Sequence, residues 1–465
     1  MTIPLNATTA PRASLPVNVL QFGGGRFLRG FVDWMIQVAN DSGQRPLGVA
    51  IVRATANPGP GLGPLARQDG RYHVVIDGEP TLVTCVQRVV DAHTQFDAYR
   101  ELWLGEDLEF VVSNTTEAGI VWAADDLSVR PPESFPAKVA AGLYDRFRHF
   151  DGDPARGLDV LCCELIEDNA TRLRDLVLRH ARAASLPDGF AAWIERCCRF
   201  HDTLVDRIVT DVPGSDVEAV QARTGFADDA LVAAEPYHLW AIAGDPGLRD
   251  RLPLDRAGLN VQFVTDLAPS RTKKVRVLNG CHTVLAALGP SQGVATVADA
   301  VRHPYLSWYL DRLLATEILP TLAGDPDENR AYAATTLARF TLPGHALASI
   351  ALHAFTKWGT RVGPTVRDAW AAGRDAPLSV FTLAVLLATN PLPPDFPDLP
   401  GLPDLPANGE PSDTSARPPL DDYEAWTREV IDRLGYDVDA DRLAAETAAH
   451  LRAIVTDGLA ASQPR

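Results

Sequence analysis

The sequence predicts an α/β protein whose first half builds a parallel sheet and whose second half is mainly helical. Three observations carry this. The apolar run Val17–Phe22 breaks at Gly23-Gly24-Gly25 and gives way to Phe27, Phe31, Trp34, Met35 and Val38 at helical spacing, which reads as strand, glycine turn, helix. Further apolar runs follow at LGVAIVRA, LEFVVSN and LDVLCCELI, separated by stretches long enough for crossover helices. Beyond about residue 268 the texture changes to Ala/Leu-rich helical patterns with few β-branched runs, so the chain is divided into residues 1–268 and 269–465.

In the second half HTVLAALG, LSWYLDRLLATEILPTLA and ALASIALHAFTKW carry the helical pattern. Residues 390–419 are rich in proline and aperiodic, the composition of a surface loop or linker. No solenoid-type repeat is present. A length of 465 residues exceeds one ordinary core and admits two or three domains.

With 46% hydrophobic and 22% charged residues the chain can bury sizeable cores. A formal net charge of −17 opposes binding to nucleic acid, which needs clustered cations. The six cysteines lack zinc-ligand or redox-motif spacing and read as buried thiols, so no metal site is expected. The N-terminus lacks a basic region followed by an apolar core, and no stretch approaches the roughly 18 apolar residues of a membrane span. The expected location is the cytoplasm, with no membrane partner.

Two stretches carry chemistry. Gly23-x-Gly25 is the kind of turn that lets a pyrophosphate reach backbone N–H groups at a helix start, although position 28, where a third glycine is usual, is Leu28. A plain structural turn is the competing reading. In RTKKVRVLNGCHTVLAALG, residues 271–289, one of only four lysines stands five residues before an Asn and eight before a His. On an α-helix Lys274, Leu278 and His282 share one i, i+4 ridge, with Asn279 beside His282. The alternative is a solvated face, but Val275, Val277, Leu278, Val284 and Leu285 make the segment too apolar for a free surface.

The run VLQFGGGRFLRGFVDW resembles the N-terminal signature of the mannitol dehydrogenase-like, polyol-specific long-chain dehydrogenases, in their tagaturonate-reducing branch. FVVSNTTEAGI, CELIEDNA, TLVDRIVTD, EPYHLWAI, RLPLDRAGLNV and KVRVLNGCHT resemble the same branch, in its order, over residues 17–385. The resemblance implies a Rossmann-like N-terminal domain binding NAD, a helical C-terminal domain, an active site between them and no catalytic metal. It implies that Phe22, Gly23, Gly24, Gly25, Arg26 and Phe27 form the cofactor turn. It further implies that Ser113, Asn114, Thr115 and Glu117 line the nicotinamide end, structural turn residues being the other reading.

The family signature K-x-x-x-x-N-x-x-H falls on Lys274, Asn279 and His282, which implies a lysine general acid/base, a carboxamide that polarises the carbonyl, and a histidine that holds the reacting oxygen or the lysine. A lysine with a free pKa of about 10.4 exchanges protons poorly at neutral pH, and a cation beside it, Lys273 or Arg276, would lower that value. Asn169 is implied as a further catalytic residue and Asp206 as a further polar one, with pairing of Asp206 to Arg207 as the alternative. Lys357 and Arg361, at i, i+4, are cations able to bind a sugar-acid carboxylate, against a solvated helix face.

Some positions depart from the pattern. The family's Asn-Pro after Arg339-Phe340 is Leu342-Pro343, with a shortening before His345; an Asn is Asp202 and an aromatic is Ser270. All are expected near the substrate. At the end of the second strand Arg53 stands where NAD enzymes usually have an acid. The leading expectation is NADH-dependent reduction of tagaturonate to altronate. The alternatives are fructuronate, a neutral ketose such as fructose, or an inactive NAD-binding regulator. The oligomeric state stays open.

Overall fold

Six strands pair in parallel: β1 (Val17–Phe22), β2 (Gly48–Arg53), β3 (Val86–Asp91), β4 (Phe110–Ser113), β5 (Asp159–Cys162) and β6 (Arg199–His201). Their order is β3-β2-β1-β4-β5-β6 in this computed structural model, which describes residues 2–53, 62–115, 119–244, 246–342, 346–393, 396 and 423–464. That is the doubly wound order, in which the sheet reverses direction between β1 and β4. Alternate residues feed opposite cores, as the two-residue period of a strand requires. Val19, Val49 and Ile51 pack with Met35 and Ile36, while Leu20, Phe22, Ala50 and Val52 pack with Trp103, Val139 and Leu173 from helices on the other face.

Two smaller sheets complete this unit. A hairpin, Tyr72–Ile76 with Glu79–Val83, joins Val232–Ala234 and Val209–Thr210; Thr203–Asp206, Leu239–Ala243 and Val261–Val264 form the other.

The chain divides into Met1–Leu267 and Ala268–Arg465. The second unit is helical and closes on one core, in which Val277, Cys281, Val284 and Leu285 meet Tyr309, Trp358 and Val385. Its helix Pro377–Thr389 is buried from Leu378 through Ala388 on all sides, so it needs no polar face. Of the proline-rich stretch, 390–393 and 396 are described. Among the described residues no helix is long and apolar enough to cross a membrane.

Among the described residues three π-helical turns interrupt α-helices: Arg29–Asp33, Lys274–Asn279 and Leu314–Ile318. One falls on the stretch expected to carry Lys274 and Asn279, and one just after the glycine turn.

Candidate active site

In the first unit β1 delivers the chain to the glycine turn. Phe22 is wholly buried, its ring 5.1 Å from Phe135 and 6.3 Å from Tyr99, so it contributes backbone rather than a side chain to any ligand. Gly23 has φ +122°, and a Cβ there would stand 3.1 Å from the Asn114 carbonyl oxygen. A Cβ on Gly24 would stand 1.9 Å from Leu62, whereas Gly25 faces open space. The turn thus brings the end of β1 against the end of β4, at the point where the strand order reverses and ligands of such sheets bind. Helical structure follows from Arg26 to Asp41. Arg26 forms an exposed ion pair with Asp211, and Phe27 stacks on Phe31 at 4.9 Å.

Beyond β4, Ser113, Asn114 and Thr115 are held from the neighbouring strand. The Ser113 hydroxyl donates to Glu164 Oε2 (3.1 Å), while the Thr115 N–H and hydroxyl donate to Glu164 Oε1 (2.9 and 3.0 Å). The Asn114 amide donates to the Cys163 carbonyl at 2.6 Å. Burial pushes the Glu164 carboxyl up, against these hydrogen bonds. Glu164 was given no part by sequence reasoning; its only signal was a carboxylate just past an apolar strand. Glu117 lies outside the described residues, as do Pro343 and His345.

Asn169 is 1% exposed and its amide is fully engaged with backbone. Nδ2 donates to the Glu164 and Thr203 carbonyls (3.0 and 3.1 Å), and Oδ1 accepts from the Ala170 and Thr203 N–H groups (2.9 and 3.1 Å). It therefore joins the Glu164 segment to the strand Thr203–Asp206, at whose buried end Asp206 lies. The alternative partner for Asp206, Arg207, donates instead to the Glu235 and Gly30 carbonyls (2.9 and 2.8 Å) and lies 4.1 Å over the Trp34 ring. Asp202 corrects an expectation: it caps the helix Asn169–Ala183, accepting from the Ala170 and Thr171 N–H groups (2.8 and 2.9 Å) and the Thr171 hydroxyl (2.7 Å). A carboxylate at a helix N-terminus explains the acid there without any substrate.

Arg53, the last residue of β2, forms an ion pair with Asp91, its register partner at the end of β3. Burial works to raise the Asp91 carboxyl, but hydrogen bonds from Arg53 and from the His93 and Thr94 N–H groups hold it below the ordinary carboxylate range.

In the second unit the expected single α-helix is three segments: Ala268–Lys273, the π-turn Lys274–Asn279 and the α-helix Gly280–Leu288. The Gly280 N–H reaches back five residues to the Val275 carbonyl. The difference matters, because five residues on an α-helix span about 140° beyond a full turn, whereas a π-turn closes on the fifth residue. Lys274 and Asn279 are thereby moved toward one face, and His282 follows one α-turn later. The i, i+4 ridge through Leu278 is replaced by this wider register. The His282 ring stacks on Phe340 with centroids 4.2 Å apart and planes 17° apart, which fixes its orientation.

Of the two expected cationic neighbours of Lys274, Arg276 already has an anionic partner. Arg276 is buried, paired with Asp368 and hydrogen-bonded to the Thr321 hydroxyl at 2.8 Å; the Lys273 ammonium lies 6.0 Å from the Tyr332 ring centre. The helix Ala354–Arg361 packs against the same segment, and a Cβ on Gly280 would stand 3.3 Å from the Arg361 carbonyl. Lys357 donates to the Ile350 carbonyl at 2.8 Å; burial, then the nearby Arg361, lowers its pKa. Burial also lowers that of Arg361, which is half-buried and has no hydrogen-bond or ion-pair partner on its side chain among the described residues. No group of three or more metal-ligating side chains occurs among the described residues.

Comparison with known proteins covers both units. The mannitol dehydrogenase Rossmann domain family matches residues 17–256, and the mannitol dehydrogenase C-terminal domain family matches residues 266–389. The altronate oxidoreductase of Yersinia pestis bv. Antiqua (strain Nepal516) is 39% identical over 397 residues, covering 83% of this chain and 82% of that one. That of Bacillus subtilis (strain 168) is 39% identical over 384 residues, covering 80% and 79%. Among solved structures, a substrate-free D-sorbitol dehydrogenase matches 97% of this chain and 95% of its own with a TM-score of 0.77 at 22% identity. The Pseudomonas fluorescens mannitol 2-dehydrogenase, in ternary complex with NAD and D-mannitol, matches 99% and 95% with a TM-score of 0.67 at 18% identity, a likeness of fold. The two domain matches together span most of both units, and the chain belongs to the mannitol dehydrogenase family of oxidoreductases.

Proposed function

We propose that this protein reduces a keto sugar acid to the corresponding alditol acid, tagaturonate to altronate, with NADH. The identity to altronate oxidoreductases supports the reaction, and the observation that carries the substrate class is Arg361. A guanidinium stays charged when half-buried, and without a protein anion it favours an anionic ligand. Gly280 allows the helix that ends at Arg361 to approach the segment carrying Lys274, Asn279 and His282. A sugar-acid carboxylate fits Arg361, with Lys357 one turn away; a neutral ketose leaves it unmatched.

A bound nicotinamide supplies or takes up the hydride. In reduction Lys274 donates its proton to the carbonyl oxygen, and the Asn279 amide donates a hydrogen bond to the negative charge that develops there. His282, fixed by Phe340, orients that oxygen. In oxidation the Lys274 amine takes the hydroxyl proton. Asn169 and Glu164 serve by holding the Ser113–Thr115 segment in shape.

The test is NADH oxidation with tagaturonate, fructuronate, fructose and tagatose. Uronates are expected to be preferred. Arg361→Ala is expected to raise the uronate KM by about tenfold or more and to leave that of a neutral ketose unchanged. Equal turnover of fructose, with no effect of Arg361→Ala, would reject the sugar-acid reading.

NAD is proposed over NADP because Asp91 neutralises Arg53. NADH is expected to outperform NADPH, and Asp91→Ala to increase NADPH use by removing the carboxylate that competes with a 2′-phosphate for the arginine. A strong preference of the unaltered enzyme for NADPH would contradict this. A cytoplasmic location is proposed from the six free, mostly buried thiols.

A further inference from the structure

A set of polar side chains lies under the glycine turn, with Gln21, Asp33 and Tyr72 fully buried and Arg29 half-buried, and none of them reaches the nicotinamide or substrate residues assigned above. Gln21, 0% exposed inside β1, donates from Nε2 to the Gly23 carbonyl at 3.1 Å and to Asp33 Oδ2 at 3.3 Å. Arg29, at the start of the first π-turn, folds back so that Nε donates to the Gly24 carbonyl at 3.1 Å. Its other end donates to the Ala230 carbonyl at 2.5 Å, and its guanidinium lies 5.2 Å over the Tyr72 ring. The Tyr72 hydroxyl lies 3.0 Å from both the Arg29 carbonyl and Asp33 Oδ2. Two successive carbonyls of the turn are thus each held from beneath by a side-chain donor, one fully buried and one half-buried.

The peptide group is planar and trans, so the C=O of one residue and the N–H of the next point in opposite directions. A Gly23 carbonyl held inward turns the Gly24 N–H outward, and a Gly24 carbonyl held inward turns the Gly25 N–H outward. Among the described residues neither N–H has a hydrogen-bond partner. Withdrawing the Arg29 guanidinium from water lowers its pKa, and a turn needed only for chain reversal gains nothing from placing a charged group there.

We propose that Gln21 and Arg29 are positioning residues for the dinucleotide: by holding the Gly23 and Gly24 carbonyls inward they aim the Gly24 and Gly25 N–H groups at the pyrophosphate, with Asp33 and Tyr72 orienting the pair. The inference rests on the reading of this turn as a nicotinamide-dinucleotide site. Gln21→Leu and Arg29→Met remove one donor each, and Arg29→Lys keeps a charged donor. Kd is measured for NADH, for ADP-ribose, which keeps the pyrophosphate, and for adenosine, which lacks it.

Gln21→Leu and Arg29→Met are each expected to weaken NADH and ADP-ribose by about tenfold, to leave adenosine unchanged, and to raise the KM for NADH with little change in kcat; Arg29→Lys recovers part of the loss. Unchanged ADP-ribose affinity in Gln21→Leu and in whichever arginine variants fold overturns the proposal. So does a parallel loss of adenosine binding, which marks general damage to the fold. If the unaltered protein binds neither NADH nor ADP-ribose, the dinucleotide reading of the turn fails instead.

Discussion

Lys274→Ala is expected to lower kcat by about three orders of magnitude or more, because it removes both the proton donor and the charge that stabilises the alkoxide. Substrate affinity should fall far less. Lys273→Ala is the control that sets the register: its ammonium lies over Tyr332, and its loss should leave most activity. Steady-state kinetics of both variants decide the matter, and added small amines should restore part of the Lys274→Ala rate. A dead Lys273→Ala beside a normal Lys274→Ala would require the mechanism to be rebuilt around the other lysine.

Asp33→Asn is expected to raise thermal stability at pH 8 and to change it little near pH 4. Burial pushes the Asp33 carboxyl up to about 7, opposed by hydrogen bonds from Tyr72 and Gln21 and by the charge of Arg29, while the Cys85 thiol faces its backbone carbonyl. An unfolded chain releases this proton near the ordinary value of 3.8, so between that pH and about 7 the folded state holds a proton that the unfolded state has lost. Stability therefore falls across that window as pH rises and is flat above it. A shift of this size corresponds to about 4 kcal/mol, enough for Asn, which is neutral throughout, to raise Tm at pH 8 by about 5–10 °C. An equal change in Tm at both pH values would show that Asp33 is not held this way.

Four strands of the parallel sheet were legible as apolar runs, as at Val17–Phe22, whereas Val86–Asp91 and Arg199–His201 were not, because polar residues such as Gln87, Arg88 and Arg199 break the run. The helical second half was legible from its Ala/Leu texture. The hairpin Tyr72–Val83 carried a usable signal that was passed over: Asp77-Gly78 between two β-branched runs, with φ of 50° and 79° at those residues. The π-turns had none, because a side-chain pattern does not encode which carbonyl an N–H reaches. The same holds for groups defined by distant partners. Arg53 reads as a free cation until Asp91, from the next strand, is seen beside it, and Asp202 reads as a substrate-side change until the helix it caps is found. Lys274, Asn279 and His282 were legible as a spacing; the register that aligns them was not.

That register makes the segment unusually sensitive to a change in length. The π-turn at Lys274–Asn279 accommodates one residue more than the α-helices on either side, so a single-codon deletion within Val275–Leu278 would let ordinary i→i+4 bonding run unbroken from Ala268 to Leu288. The shortened helix would be better bonded. Yet Lys274 would rotate by about 100° relative to Asn279 and His282. On the proposed mechanism an in-frame indel here separates foldability from chemistry: the shortened chain is expected to fold and to keep its dinucleotide affinity while losing proton transfer by Lys274.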